Sequence, residues 1–261
     1  MKHIITTCGN SILGGNRPEI DQIDEVITQR ILSMKESEDF LKKVSAETNG
    51  LTSLQVDSGD QVSLIVTDTL DGFKCAECLV KLIESTFNCG VDLIQVEGLQ
   101  VGDASLFRRK GVSNLFSALD DLRKSHQGKE ILHCSGGFKA VVPYIVLYGL
   151  LNQIEVAYIF ERSENLIKLP PAPLGVDYTR ASMFVPILRW VDGEGCVSGS
   201  TFQQKAAKVP FHEQEWFSSL FYEDEGLVHL SAFGEIVLSK FSDSVLKVQL
   251  SKDAIATLEA A

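Results

Sequence analysis

The chain has 261 residues, of which 44% are hydrophobic and 23% are charged. That composition is typical of an ordinary globular protein, and the length suffices for one full α/β domain with a smaller appendage. The 24 basic and 35 acidic residues give a net charge of −11, which disfavours binding of long nucleic acid, because phosphate backbones are bound mainly by basic residues. A small phosphorylated ligand in a local pocket is compatible with this charge.

The sequence carries neither a membrane-spanning pattern nor a secretory one. It has no run of about 18 apolar residues, and a strand pattern begins at Lys2 without a basic and apolar leader before it. The six cysteines lack the regular spacing of a secreted disulfide scaffold. We therefore expect a cytoplasmic protein that contacts no membrane and keeps its thiols reduced.

Cys75 and Cys78 form a C-x-x-C pair, which can be a redox or zinc motif. They fall on the apolar face of a helical pattern, and no second C-x-x-C or H-x-x-H pair follows, so core packing is the favoured interpretation. The five histidines are scattered, without the spacing of a metal-binding motif. We expect neither a metal nor a cofactor.

Strand and helix patterns alternate along the first part of the chain. Strands are predicted at residues 2–7, 62–67, 92–97, 130–134 and 154–160. Helices are predicted at residues 18–47, with Asn49-Gly50 as the stop signal, and at residues 71–87, 105–125 and 138–151. Such alternation predicts an α/β fold with a parallel, doubly wound, Rossmann-like sheet and right-handed crossovers.

A proline-rich run from Lys168 to Pro173 ends this alternating region. Its prolines lack the backbone donor that a helix interior or a central strand needs. We therefore predict a first domain at residues 1–175 and a small C-terminal α+β domain at residues 176–261. Within the second domain, residues 213–238 have the pattern helix, turn, short strand and helix, which resembles a reduced winged-helix module.

The segment from His133 to Lys139 joins the fourth predicted strand to a helical pattern through a glycine pair. Such a turn lets backbone N–H groups approach an anion, the N-terminus of the next helix adds partial positive charge, and Lys139 adds a full charge. The segment does not match a Walker A loop, so a nucleoside triphosphate with magnesium is not implied. The alternative is that Gly136 and Gly137 merely permit a tight turn.

A second loop of small polar residues follows the first predicted strand. It runs from Cys8 to Ser11, and Gly14-Gly15-Asn16 comes shortly after it. In an open parallel sheet, ligands bind outside the carboxyl ends of the strands, at the point where the strand order reverses. Two such loops can therefore converge on one ligand, which favours a binding site over a plain turn.

Six short motifs occur in order between Thr6 and Pro171. They are Thr6–Ser11, Ser45–Asn49 at the end of the first predicted helix, Thr67–Thr69 with Gly72, Phe107–Gly111, Cys134–Lys139, and Tyr158–Glu161 with Leu169–Pro171. Together they resemble the CARF domain, the CRISPR-associated Rossmann fold, of the subgroup that includes CRISPR ring nucleases and single-CARF effectors. That family more often has Asn and Thr at the positions of His133 and Ser135, and Ser135 keeps the hydroxyl.

The resemblance implies a cyclic oligoadenylate as the ligand. A ring of linked adenylates has rotational symmetry, so a two-fold homodimer that presents the same loops twice would match it. Cyclic tetra-adenylate fits that symmetry best, and cyclic hexa-adenylate is the alternative. The residues expected to bind the ring are Thr7, Cys8, Gly9, Asn10, Ser11, Thr69, Ser135, Gly136, Gly137, Phe138 and Lys139.

The resemblance also implies an activity, that of a metal-independent ring nuclease in type III CRISPR antiviral signalling. In such enzymes a ribose 2′-OH of the ring attacks the adjacent phosphate and leaves a 2′,3′-cyclic phosphate. The reaction depends on positioning and charge stabilisation more than on a strong base. The expected catalytic residues are Ser11, which would orient the attacking hydroxyl or the phosphate, and Lys139, which would stabilise the developing charge.

The alternative activity is that of a sensor that cleaves nothing and switches a C-terminal effector. Residues 245–261 resemble the opening strand and first helix of RelE-type ribonucleases. The catalytic residues of such a nuclease would follow residue 261, so the chain would be the truncated sensor of a CARF-RelE effector. The sequence leaves the nuclease and the sensor both open.

Overall fold

The computed structural model describes residues 1–100, 102–160 and 165–243. The chain divides into two compact units, Met1–Val176 and Asp177–Ala261. The RelE-like segment predicted at residues 245–261 lies outside the described residues, as does Glu161 of the last motif. Within the described ranges, no helix combines the length and the apolarity that crossing a membrane requires.

The first unit is built on a six-stranded sheet. Its strands are β1 (Lys2–Cys8), β2 (Gln61–Val66), β3 (Gly90–Gln95), β4 (Lys129–His133), β5 (Glu155–Ile159) and β6 (Leu166–Leu169). They lie in the order β3-β2-β1-β4-β5-β6, and neighbouring strands are parallel except for β6, which is antiparallel to β5. This architecture confirms the predicted Rossmann-like α/β fold.

Helices connect the parallel strands. They are α1 (Ile23–Met34), α2 (Phe40–Val44) and α3 (Ala46–Ser53) between β1 and β2, α4 (Leu70–Phe87) between β2 and β3, α5 (Ala104–Leu106) and α6 (Val112–Ser125) between β3 and β4, and α7 (Val142–Leu151) between β4 and β5. A π-helical turn, Phe107–Gly111, joins α5 to α6. The order of elements is therefore the alternating one that the sequence predicts.

The single helix predicted at residues 18–47 is wrong. The chain forms α1 and α2 there, and Asn49 and Gly50 lie inside α3 instead of ending a helix. The chain turns at residues 35–39 between α1 and α2. Ser45 explains the second break, between α2 and α3, because its backbone is extended and its side chain accepts a hydrogen bond from the backbone N–H of Thr48. A cap of this kind satisfies one of the free N–H groups in the first turn of a new helix.

The patterns in the sequence do not predict β6. This strand has four residues and lies at the edge of the sheet, directly before Pro170. A short edge strand gives little periodic signal, and a proline next to it is tolerated because one side of an edge strand needs no backbone donor. The expectation that the proline run is neither helix nor central strand agrees with this placement.

β1 lies in the interior of the sheet, and six of its seven residues are buried. A near-continuous run of buried side chains is typical of a parallel strand that is covered by helices on both faces. Ile4 of β1 belongs to one core cluster with Val62 and Leu64 of β2 and Leu79 of α4. The loop that follows β1 therefore begins from a firmly held strand.

The second unit contains a three-stranded antiparallel sheet in the order β7-β9-β8. Its elements are α8 (Tyr178–Ser182), α9 (Val185–Glu194), β7 (Val197–Ser198), α10 (Gly199–Ala206), α11 (Gln214–Ser219), β8 (Phe221–Asp224), β9 (Leu227–Leu230) and α12 (Ala232–Asp243). Aromatic rings fill its core, with Phe217 in contact with Phe184, Phe202 and Phe221. The sequence pattern predicts one short strand between α11 and α12, whereas the structure has the two antiparallel strands β8 and β9 there.

We expect Gly50→Ala to destabilise the first unit. A methyl group at this position would overlap the imidazole ring of His133, which is fully buried and hydrogen-bonded to Thr6. Overpacking of this kind costs about 1–3 kcal/mol, and thermal or urea unfolding would measure it. Gly102→Ala is the control, since a methyl group there meets nothing within 4 Å; equal stability of the two variants would contradict the packing described here.

Candidate functional site

The candidate site lies where the loops after β1 and β4 leave the sheet. These two strands are parallel neighbours, and successive strands are added to one side of the sheet up to β3 and to the other side from β4 onwards. Their boundary is therefore the switch point of the strand order, where open α/β sheets bind ligands outside the carboxyl ends of the strands.

The two loops are in direct contact. The hydroxyl of Thr7 donates a hydrogen bond of 2.6 Å to the carbonyl of Gly136. A Cβ atom on Gly9 would come within 2.7 Å of the Cα of Gly137, so only glycine at position 9 permits this approach. Gly137 has a φ of +81°, a conformation that glycine adopts without the penalty paid by other residues. The structure thus brings the two predicted loops together.

Glu47, in the first turn of α3, lies beneath both loops and is fully buried. Its Oε1 accepts a hydrogen bond of 3.0 Å from the backbone N–H of Gly9, and its Oε2 accepts one of 2.5 Å from the hydroxyl of Ser11. A methyl group on Gly136 would overlap Oε1. One carboxyl group therefore touches the β1 loop and the β4 loop at once.

The pKa values of the groups around Glu47 follow from their burial. Burial raises the pKa of the Glu47 carboxyl above its ordinary value, and the hydrogen bonds from Ser11 and Gly9 oppose part of that rise. Burial, together with the Glu47 carboxyl, raises the pKa of the Cys8 thiol well above its ordinary value. The Cys8 side chain points into the core, so any contact of Cys8 with a ligand would come from its backbone.

Ser11 and Asn10 lie in a short 3-10 turn directly after Gly9. The Ser11 hydroxyl donates to Glu47 and also accepts a hydrogen bond of 3.0 Å from the backbone N–H of Ala46. The exposed Asn10 side chain donates a hydrogen bond of 2.7 Å to Oδ2 of Asp71 on α4. Both side chains predicted to contact a ligand therefore already hold the turn in place.

Thr69 is the cap of α4, and its hydroxyl accepts a hydrogen bond of 3.2 Å from the backbone N–H of Gly72. Burial raises the pKa of Asp71, but hydrogen bonds from Thr69, Asn10 and the backbone of Gly72 outweigh that effect and lower it below its ordinary value. Asp71 thus links Thr69 to the β1 loop. Thr69 follows β2, so it lies at the same edge of the sheet as the two loops.

The predicted residues of the β4 loop have different surroundings. The Ser135 hydroxyl accepts a hydrogen bond of 2.6 Å from the backbone N–H of Ile159 and so ties the loop to the end of β5. The Phe138 ring packs edge to face on Phe107, with 5.4 Å between the ring centroids. Lys139 is exposed at the first position of the 3-10 turn that leads into α7. Lys139 is therefore more exposed than Ser135 and Phe138, which are partly buried.

His133 is a core residue. It is fully buried, its Nδ1 lies 2.7 Å from the Thr6 hydroxyl, and burial lowers its pKa to about 4. Its ring packs against Gly50 of α3. His133 therefore stays neutral at physiological pH and positions the end of β4 instead of contacting a ligand.

The sequence patterns assign no role to two groups of residues that the structure places near the carboxyl ends of the parallel strands. Glu47 belongs to the Ser45–Asn49 motif, yet a single acidic residue in a helical pattern gives no signal of burial. Arg108, Arg109 and Lys110 follow Phe107 in the π-helical turn, and their helix packs on Phe138 through that ring. The run of three basic residues in a strongly acidic chain was the available signal for the second group.

Comparison with known proteins identifies the family. A family model described as CRISPR-associated protein (Cas_APE2256) matches residues 42–172, half of the chain, and the chain belongs to this CRISPR-associated family. With the Rossmann-like sheet, the match confirms the resemblance to CRISPR-associated Rossmann-fold proteins. No curated protein sequence matches the chain.

One similar solved structure is that of Can2 from Sulfobacillus thermosulfidooxidans in complex with cyclic tetra-adenylate. The alignment covers 93% of this chain and 65% of the Can2 chain, with 12% sequence identity and a TM-score of 0.36. The chain thus spans less than two thirds of the length of Can2.

We expect Glu47→Gln to change how stability depends on pH. The folded protein holds the Glu47 proton more tightly than the unfolded chain does, because burial raises the pKa from 4.5. As the pH rises from about 4.5 through the raised pKa of Glu47, the free energy of unfolding of the parent protein should therefore fall relative to that of Glu47→Gln. Urea unfolding at a series of pH values measures this difference.

The control for this experiment is Glu77→Gln, since Glu77 is exposed on α4. Its unfolding free energy should follow that of the parent at every pH. Identical pH dependence for the parent and Glu47→Gln would show that Glu47 is not buried in the way described.

Proposed function

We propose that the protein binds a cyclic oligoadenylate across the loops that follow β1 and β4, with cyclic tetra-adenylate as the first choice. The observation that carries this proposal is the backbone contact between Gly9 and Gly137, which joins the two loops into one surface at the switch point of the sheet. Membership of a CRISPR-associated family supports the same ligand class through the CARF resemblance.

Positive charge at this edge suits a ligand with several phosphates. Lys139 is exposed there, and the N-terminus of α7 adds partial positive charge close by. Arg108 and Arg109 belong to the turn that packs on Phe138 through Phe107, whereas Lys110 of the same turn is ion-paired with Glu97 at 3.4 Å. In a chain of net charge −11, such a local group of cations favours an anionic ligand at this position.

We propose a homodimer as the unit that binds the ring. A cyclic tetra-adenylate has two-fold symmetry, and two copies of the same loop pair related by a two-fold axis would contact it equivalently. One ring would then lie between two protomers, each of which contributes Gly136, Gly137 and Lys139. Cyclic hexa-adenylate is the alternative ring, and direct competition between the two rings would rank them.

We further propose that the bound ring is opened slowly and without a metal. A ribose 2′-OH would attack the adjacent phosphate, with Ser11 orienting the reacting groups and Lys139 stabilising the charge that develops on phosphate oxygens. Ser11 supports this role because two hydrogen bonds, to Glu47 and from Ala46, fix its hydroxyl in one direction. A hydroxyl that is already oriented needs no reorganisation during the reaction.

The second candidate function is a sensor without catalysis. The presence of a second compact unit, Asp177–Ala261, favours it, because a ligand-binding unit followed by another folded unit is the arrangement of a switch. In that case the ring would change the state of the second unit or of residues that follow it, and the ring itself would survive.

We expect isothermal titration calorimetry to give one cyclic tetra-adenylate per two chains. Lys139→Ala should weaken binding at least tenfold with the fold intact, because a charge-assisted hydrogen bond contributes about 1.5–3 kcal/mol. Lys81→Ala is the matched control, as Lys81 is exposed in the later part of α4, away from the Thr69 end. One ring per chain, or equal affinity of the two variants, would refute the placement of the ligand.

We expect the protein, incubated with cyclic tetra-adenylate in EDTA, to produce linear products that end in 2′,3′-cyclic phosphate. Ser11→Ala should slow this conversion at least tenfold while it changes affinity much less, since a contact made mainly in the transition state affects turnover more than ground-state binding. Ser85→Ala, on the exposed surface of α4, serves as the control. A ring that stays intact for a day with saturating protein would leave the sensor as the function.

A further inference from the structure

Among the described residues, the Ser11 hydroxyl has two hydrogen-bond partners and one hydrogen-bonding position left. A serine hydroxyl offers one donor and two acceptor positions. The donor is used by Oε2 of Glu47 at 2.5 Å, and one acceptor position is used by the backbone N–H of Ala46 at 3.0 Å. The remaining lone pair can accept a hydrogen bond from a ligand hydroxyl. The proton of the Ser11 hydroxyl already points at the Glu47 carboxyl group.

Glu47 is held so that it can take that proton. Gly9 fixes Oε1 through its backbone N–H at 3.0 Å, which leaves Oε2 directed at Ser11. The carboxyl group is fully buried, so bulk water does not compete for it. The geometry is that of a two-step relay, from a ligand hydroxyl to Ser11 and from Ser11 to Glu47.

We propose that Glu47 is a positioning residue that accepts, through Ser11, the proton of the attacking ribose 2′-OH. This inference rests on the proposed ring-opening function and gives it the base that the sequence does not reveal. Ser11 remains the group that touches the substrate, and Glu47 acts only through it. The ionised Glu47 carboxylate is the base, and burial raises its pKa above the ordinary value, which strengthens its hold on a proton.

Ring opening forms one bond, breaks one bond and moves two protons along the relay. The 2′-oxygen forms a bond to phosphorus while the bond from phosphorus to the 5′-oxygen breaks. The 2′-OH proton moves to Oγ of Ser11 as the Ser11 proton moves to Oε2 of Glu47. The departing 5′-oxygen takes a proton from water, and Glu47 later returns its proton through Ser11 to water, so no other reactant is required.

Titratable neighbours do not obscure the pH dependence of this relay. The titratable side chains that face Glu47 are Cys8 of β1 and Cys75 of α4. Burial raises the pKa of Cys8 well above its ordinary value and that of Cys75 to about 12. Both thiols therefore stay neutral, and an acid limb in the cleavage rate would report the Glu47 carboxyl.

The test is the pH–rate profile of single-turnover cleavage of cyclic tetra-adenylate, with ring affinity measured in parallel. In the parent protein the rate should rise with pH along an acid limb. Glu47→Gln keeps an acceptor for Gly9 but cannot take a proton. It should therefore slow cleavage at least tenfold and abolish the acid limb, while its affinity for the ring stays within about threefold of that of the parent. The double variant Ser11→Ala/Glu47→Gln should be no slower than the slower single variant, because both belong to one relay.

The outcomes separate the relay from the proposed function. A Glu47→Gln variant with the rate and profile of the parent would overturn the relay. If Glu47→Gln fails to fold, Ser11→Ala decides, since an acid limb that persists without the Ser11 hydroxyl would also overturn it. If the parent protein binds the ring but does not cleave it, the relay and the proposed nuclease activity are refuted, and the proposed ligand is not. If the parent protein does not bind the ring, the proposed ligand itself is refuted.

Discussion

The carboxyl group of Glu47 holds together three segments that are far apart in the sequence. It accepts hydrogen bonds from Gly9 and Ser11 after β1, it lies against Gly136 after β4, and its backbone belongs to the first turn of α3. Burying such a group is costly unless its oxygens are hydrogen-bonded. The loops are therefore stabilised in the one arrangement that satisfies both oxygens, and the shape of the candidate site depends on that arrangement.

Glycine at three positions makes this arrangement possible. Gly9 and Gly137 let the two loops touch backbone to backbone, and Gly136 leaves the space that Glu47 fills. Side chains at these positions would separate the loops and expose the carboxyl group to water. Lys139 lies at the surface, and the Glu47 contact directs the Ser11 hydroxyl. The contacts that stabilise the two loops therefore also set the positions of the two side chains on which the proposed chemistry depends.

The sequence was sufficient to predict the sheet and the two loops that meet at its switch point, but not the carboxyl group beneath them. Buried parallel strands such as β1 have nearly continuous apolar runs, and small-residue loops after two of them indicate the switch point. The break at Ser45 was missed because the apolar spacing continues across it, although its cap starts α3. Glu47 could not be recognised because its burial depends on contacts with Gly9 and Gly136, which only the folded chain brings near.

Hydrogen–deuterium exchange with and without cyclic tetra-adenylate tests the central claim most directly, since it locates the ligand on the backbone and needs no variant. The ring should slow amide exchange in residues 9–11 and 135–139 and leave the edge strand β6 and the far end of α4 unchanged. Protection that is confined to other parts of the chain, with these two loops unaffected, would contradict it.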